Sequence, residues 1–350
     1  MNKKEYEKNT QVELAALPSY VGEFYLNKNL SMTTSYQYLT EIRRFFTWLR
    51  QEGISDASSN KSMPLKTLEH LSRSDVMLYI SFLQHSTNRQ GKTNSNSSIN
   101  RSINALRSLF HYLTVIADSK NGEPYFYRNV MAKIPLLNDS ETLNYRAHQL
   151  QSHMLVGDEK HKFIKYLEKD YADTLNKRGK SWYKKNKERN IAMIALMLAT
   201  GVRISEICNM NIDDLHLVKQ PMVDVIRKGG QRDSVPMAKW AVKYIQDYLE
   251  IRSSRYKPGK SQKALFLTVH SGTRRINDNQ VRVFVNKYSR AFGTSLTPHK
   301  LRHTFASELY GVTKDEVLVA QQLGQRGTSA TALYTHVDQS KLNDAVNKTN

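Results

Sequence analysis

Residues 187–206 read KERNIAMIALMLATGVRISE, and this stretch decides how the second half of the chain is organised. From Ile191 to Ala199 every residue is apolar, so Lys187–Ala199 predicts a strongly apolar helix. Gly201 follows as the residue best able to take the left-handed conformation that ends a helix. Arg203 then stands at the start of a further short helix, predicted around Ser205–Met210. Glu206 lies one turn on, within reach of its guanidinium.

Downstream the pattern is mixed. Met222–Ile226 predicts a strand, Gly229–Gly230 a two-residue turn and Ser234–Pro236 the returning strand of a β-hairpin. Helical spacing resumes at Lys239–Arg252, Asp278–Phe292, Pro298–Leu309 and Lys314–Gln322, with the Gly311 region separating the last two. Gln339–Val346 is spaced for a C-terminal helix. Upstream, no strand pattern appears before about residue 135. Pro18–Leu26 is a short amphipathic run, and Thr33–Arg50 places Tyr38, Leu39, Ile42, Phe45, Phe46 and Leu49 at helical spacing, with Gly53 as its stop. A third helix, capped by Ser74 or Asp75, is expected to reach Leu83. A fourth runs from Ile99 to Val115. Ile134–Gly157 has weak periodicity. The expected fold is therefore mostly α with a small β-sheet: a helical domain over 1–135, a linker over 136–157 and an α+β domain over 158–350.

The chain has 350 residues and a formal charge of +20, enough length for two domains with separate cores. An excess of lysine and arginine this large points to a polyanionic partner, and nucleic acid is the usual one, because such contacts release counterions condensed on phosphates. No apolar run approaches the ~18 residues that span a bilayer. The single cysteine, Cys208, excludes an intrachain disulfide and cysteine-based zinc sites. The first residues, MNKKEYEKNTQVELAALP, are charged and lack the apolar core of a signal peptide. The expected setting is soluble and cytoplasmic.

Four fragments carry candidate chemistry. In TPHKLRH, residues 297–303, Thr297 is a good N-cap and Pro298 suits the first helical position. His299 then sits in the first turn, where helices favour phosphate, and Arg302 is on the same face. A basic helix face with a partner-free histidine is the plainer alternative. His299 and His303 share a spacing that zinc uses, but no third ligand is evident. The second fragment is Arg203 with Glu206; alone, Arg203 reads as an exposed helix-start arginine. The third is RKGGQRDSVP, residues 227–236, where Lys228 sits at the rim of a hairpin turn and can reach a DNA backbone. The fourth, LGQRGTSATALYTHV, residues 323–337, places Tyr334 in a specific context near the end of the chain.

Taken in chain order, the fragments resemble the tyrosine recombinase (phage integrase) family, which shares its catalytic layout with type IB topoisomerases. The helical first half looks like the family's SAM-like core-binding domain, and the segments 123–130, 186–206, 227–235, 255–260 and 297–303 look similar to the single-recombinase Xer branch. The resemblance implies that Arg203 and Arg302 grip the non-bridging phosphate oxygens, that Lys228 protonates the departing 5′ oxygen, that His299 assists proton transfer at the tyrosine and that Tyr334 attacks to form a 3′-phosphotyrosine. Glu206 takes an acidic supporting position. Gln325 departs from the pattern: it stands where the family usually has histidine, sometimes tryptophan. A glutamine amide still donates a hydrogen bond but cannot carry charge, so activity is expected to be retained, with a reduced rate allowed for. Neither a metal nor another cofactor is expected, since the phosphotyrosine conserves the energy of the phosphodiester.

The implied partner is double-stranded DNA carrying a specific site, bound by a homotetramer on two sites. The segment Asp338–Val346, with Leu342 and Val346, would dock into a neighbouring protomer, and a DNA translocase is a further candidate partner. Arg43, Arg44, Arg101, Asn104 and Arg107 are the expected DNA contacts of the helical domain; each also reads as part of a solvated basic face. The expected function is site-specific recombination, in particular resolution of chromosome dimers at a dif-like site. Alternatives are a mobile-element integrase, a type IB topoisomerase-like enzyme and a DNA-binding protein impaired in catalysis.

Overall fold

The computed structural model describes residues 3–27, 30–87, 91–119, 121–138, 141–269, 272–325, 327–328, 331–337 and 346–347. The chain divides into two compact units, Met1–Ser140 and Glu141–Asn350.

The first unit is helical: α1 (Lys3–Ala15), α2 (Ser19–Asn27), α3 (Met32–Gln51), α4 (Leu65–His70), α5 (Arg73–His85) and α6 (Asn96–His111). Its core comes from residues three and four apart. Leu39, Ile42, Phe45, Phe46 and Leu49 of α3 meet Ile99, Ile103, Leu106, Leu109 and Phe110 of α6 in one buried cluster. The cap of α5 is Ser72, not Ser74 or Asp75: the Ser72 hydroxyl accepts from the Asp75 N–H, and the Asp75 carboxylate accepts from the Ser72 N–H. The fourth expected helix starts earlier than read, at Asn96 behind the Ser95 cap, and its last residues, Tyr112–Ile116, widen into a π-turn. The sequence KKEYEKNTQVELA hides α1, because so few of its residues are apolar; it packs on α3 and buries Thr10 and Glu13.

The second unit holds α7 (Leu143–Gln151), α8 (Glu159–Lys169), α9 (Lys177–Thr200), α10 (Ile204–Asn209), β1 (Leu215–His216), β2 (Met222–Ile226), β3 (Arg232–Pro236), α11 (Val242–Tyr256), β4 (Leu267–Thr268), β5 (Arg274–Arg275), α12 (Asp278–Ala291), α13 (Pro298–Thr313), α14 (Glu316–Leu323) and α15 (Ala332–Val337). The apolar stretch 191–200 is the buried C-terminal half of α9, surrounded by α8, α11 and α13. The helix begins ten residues before the expected Lys187, capped by Asn176, because its polar first half buries only Tyr183 before Arg189 and shows no apolar period. Gly201 ends it with φ 65°; a Cβ there would lie 2.5 Å from the Phe305 ring, so both conformation and packing require glycine. The sheet order is β1-β2-β3, antiparallel, with Val223 opposite Val235 and Ile226 opposite Arg232. The returning strand thus starts at Arg232, two residues earlier than expected.

Gly311 does not separate two helices. It lies inside α13, which continues to Thr313 and stops at Lys314 in the left-handed conformation. The stretch 136–157, read as a linker, contains α7, which belongs to the second unit and packs against α15. Of the expected C-terminal helix and docking segment, residues 338–345 lie outside the described residues; Val346 is exposed.

Candidate active site

Helix ends bring the four fragments together. The N-terminus of α13 is built as the sequence suggests: Thr297 caps it by accepting from the Lys300 N–H, and Pro298 occupies the first turn. His299 is exposed in that turn. Arg302, one turn on, is 3% exposed, and its guanidinium donates to the carbonyls of Gly201 (2.7 Å) and Leu323 (2.8 Å). Arg302 therefore joins the C-terminal ends of α9 and α14 to the start of α13, where carbonyls left without intrahelical partners favour a cation.

Arg203 precedes α10. Its Nη1 donates to Glu206 Oε1 at 2.9 Å, its Nη2 reaches the Gly324 carbonyl at 3.4 Å, and its backbone N–H donates to Glu206 Oε2. The expected Arg203–Glu206 contact is thus present. Glu206, nearly buried, also accepts from Arg227 Nη1 at 3.1 Å. Arg227 donates further to Asp233 (2.9 Å) and to the Gln322 carbonyl (2.9 Å). The reading of the sequence missed this residue. Its position directly before Lys228 in RKGGQ was the available signal: a residue leaving β2 next to a rim lysine must point away from the solvent side of the turn. Arg227 fixes the start of the turn, and Lys228 beside it is exposed. Gly324, in the left-handed conformation after α14, lies flat on the Arg227 guanidinium; a Cβ would sit 2.4 Å from Arg227 Nε.

Gln325 follows Gly324. Its backbone N–H donates to the Ala320 carbonyl, while its buried amide Oε1 has no hydrogen-bond partner among the described residues. Tyr334 on α15 is 2% exposed and packs in an apolar cluster with Ala306, Val319 and Leu323. Its hydroxyl is 2.8 Å from Nδ1 of His303, and the His303 ring stands 4.4 Å from that of His299. His303 entered the sequence reading only as half of a zinc spacing. Its place, four residues after His299 and next to Arg302, is what the sequence offered. Among the described residues no group of three or more metal-capable side chains converges.

The cationic surroundings set the ionisation of this cluster. Partial burial, Arg302, Arg203 and Arg282 lower the pKa of His299. Burial, His299 and Arg302 push His303 down to about 4, so its ring is neutral at physiological pH. Burial raises the Tyr334 hydroxyl to about 12 against the opposing pull of Arg302. Burial brings Arg302 down to about 10, with the Arg203 charge adding to the effect; it stays cationic at pH 7. A tyrosine, two arginines and the hairpin that carries an exposed lysine are thus held about the ends of α9, α13 and α14.

The expected DNA contacts lie on α3 and α6 of the first unit. Arg43 pairs with Glu13 (2.5 Å), Arg44 stands over the Phe82 ring, and Arg101 faces Glu41 at 3.7 Å. Asn104 is exposed and lines a shallow cavity with Arg101 and Tyr38. Arg107 differs from the others: its guanidinium donates to the Ile134 carbonyl and its Nε is buried.

The phage integrase family matches residues 165–341, and the phage integrase N-terminal SAM-like domain matches residues 17–115. Tyrosine recombinase XerS of Streptococcus thermophilus is 46% identical over 338 residues, 94% of this chain and 95% of its own. The XerS of Streptococcus gordonii is 43% identical over 342 residues, 95% and 96% of the two chains. Among solved structures, XerH bound to a palindromic difH substrate in a post-cleavage complex aligns with TM-score 0.66 at 19% identity, over 93% of this chain and 94% of that one. A lambda integrase dimer bound to a core site aligns with TM-score 0.57 at 14% identity, over 92% and 95%. The chain belongs to the phage integrase family. It is a tyrosine-type site-specific DNA recombinase of the Xer kind.

Proposed function

We propose that Tyr334 cleaves one strand of a recombination site by attacking the scissile phosphate, leaving a 3′-phosphotyrosine and a free 5′ hydroxyl that a second duplex then uses for religation. The observation that carries this reading is the convergence of Arg302, Arg203 and Tyr334 at the ends of α9, α13 and α14, with Lys228 on the hairpin that Arg227 anchors. The two guanidiniums oppose the charge that grows on the phosphorane, which is where preorganised donors act most strongly. Lys228 supplies the proton of the departing 5′ oxygen. Glu206 orients Arg203 and Arg227 from behind. Gln325 donates its amide hydrogen to a phosphate oxygen. The helical first unit grips the duplex through the exposed polar faces of α3 and α6, and the basic excess of the chain binds backbone phosphates.

The biological role is resolution of chromosome dimers at a dif-like site by a cytoplasmic homotetramer acting on two sites, with a DNA translocase as a further partner. Support comes from the Xer relatives that match this protein over nearly its full length.

A nicked suicide duplex carrying the site tests the chemistry. Wild type is expected to form a covalent adduct that EDTA leaves unchanged. Arg203→Ala and Arg302→Ala should bind the duplex and yield at least ~100-fold less adduct. Adduct formation at the wild-type rate by either variant would contradict the proposed clamp. A supercoiled plasmid with two directly repeated sites tests the biological role. This protein alone should yield two smaller circles, and a requirement for a second recombinase would contradict it.

A further inference from the structure

The structure places a histidine that the arrangement above does not use on the oxygen that reacts. Tyr334 Oη lies 2.8 Å from His303 Nδ1. In the neutral tautomer that carries its proton on Nε2, Nδ1 is the acceptor and the tyrosine the donor. The side chain of Tyr334 is almost entirely sequestered by Ala306, Val319 and Leu323, so bulk water does not reach the hydroxyl to take its proton. His299, by contrast, is exposed at the start of α13 and meets His303 ring to ring.

We infer that His303 is a catalytic residue: it is the base that receives the Tyr334 proton during strand cleavage and returns it during ligation. The inference rests on the reading of Tyr334 as nucleophile. In the forward step a bond forms between Tyr334 Oη and phosphorus and the bond from phosphorus to the 5′ oxygen breaks. The tyrosine proton passes to His303 Nδ1, and the Lys228 proton passes to the departing oxygen. Ligation reverses each transfer, so no other reactant is consumed. His299 is then left to face the phosphate with Arg302.

Other charged groups bear on this pair. On α13 they are His299 and Arg302, whose influence adds to that of burial in keeping His303 neutral before DNA binds. From α15 there is Tyr334 itself. Arg203, leading into α10, and Arg282, on α12, act through His299, and Arg227, at the end of β2, acts through Arg302. A phosphate entering between these cations offsets their charge and makes His303 more basic as the tyrosine begins to attack.

The test isolates the nucleophile's proton with a suicide duplex whose scissile 5′ oxygen is replaced by sulfur. Thiolate departs without protonation, so the requirement for Lys228 disappears. With full-length protein in single turnover, wild type should react at a rate nearly independent of pH between ~6 and ~9, since a neutral His303 is already present. His303→Phe should be about 100-fold slower at pH 7. Its rate should climb about tenfold per pH unit, because cleavage then depends on the ionised fraction of a tyrosine whose pKa lies well above the range. His303→Asn, which accepts a hydrogen bond but no proton, should show the same loss and the same slope, and it decides the matter if the Phe variant does not fold. A near-wild-type, pH-independent rate for His303→Asn would reduce His303 to an orienting contact and overturn the inference. Wild-type behaviour of His303→Phe would overturn it too. An adduct surviving Tyr334→Phe would overturn the assignment of the nucleophile as well; loss of the adduct in that variant beside unaffected His303 variants would overturn only the role of His303.

Discussion

Gln325 and Gly324 show how much of this site is decided residue by residue. Gln325 stands where the resemblance implies a histidine, and its buried Oε1 has no partner among the described residues. An unsatisfied buried acceptor costs roughly 1–3 kcal/mol, a cost that replacing the amide removes. Gln325→His should therefore leave strand cleavage at or above the wild-type rate in a suicide-substrate assay, and a large loss would contradict the assignment of this position. Gly324 is more constrained. Left-handed φ costs a non-glycine residue roughly 1–2 kcal/mol, and a Cβ would press on the Arg227 guanidinium. Gly324→Ala should lower the melting temperature and the cleavage rate together; an unchanged variant would show that Arg227 yields freely. The sequence made Arg203, Glu206, Arg302 and Tyr334 legible because each sits at a helix start or in a specific run. It left Arg227 and His303 illegible as partners, since their contacts join residues distant along the chain: Arg227 with Glu206 and Gln322, His303 with Tyr334.

At the scale of elements, the start of the turn between β2 and β3 is tied to α10 and to the end of α14 by one arginine, while the rest of the turn is exposed. Lys228 is thus exposed beside an anchored arginine. Arg227→Lys keeps the charge but loses the planar set of donors that reaches Asp233, Glu206 and the Gln322 carbonyl at once. It should slow cleavage of an ordinary phosphodiester about tenfold or more, and substitution of sulfur at the leaving position should restore most of the rate, because the defect lies in delivering the proton. No recovery with sulfur would place the defect in the arginine clamp instead. The core helices α3, α6 and α12 and the C-terminal half of α9 were readable from apolar spacing, as were the caps Thr297 and Gly201. Helices α1 and α7 were not, because polar sequences leave them almost no apolar stripe and packing on α3 and on α15 supplies what local pattern lacks. The span of α13 through Gly311 has the same cause: one glycine costs only ~1 kcal/mol in a helix already packed against α9.

For the molecule as a whole, the charge of +20 predicts binding that weakens steeply with salt. Within the first unit the candidate contacts separate into two kinds. Arg101 and Asn104 present exposed polar groups on α6, whereas Arg107 is hydrogen-bonded to the Ile134 carbonyl. Arg101→Glu should weaken site binding with the fold intact and make the salt dependence shallower. Arg107→Glu should weaken binding and destabilise the first unit as well, visible as a lower melting temperature. Equal stability of the two variants would assign Arg107 to DNA contact alone.

The central claim is that one of the 19 tyrosines in this chain becomes covalently joined to DNA. The direct measurement is to trap the adduct on a suicide duplex, digest protein and DNA, and identify the nucleotide-bearing peptide by mass spectrometry. The account predicts a peptide carrying the modification on Tyr334 through a 3′-phosphate. A modified peptide from any other part of the chain would contradict it.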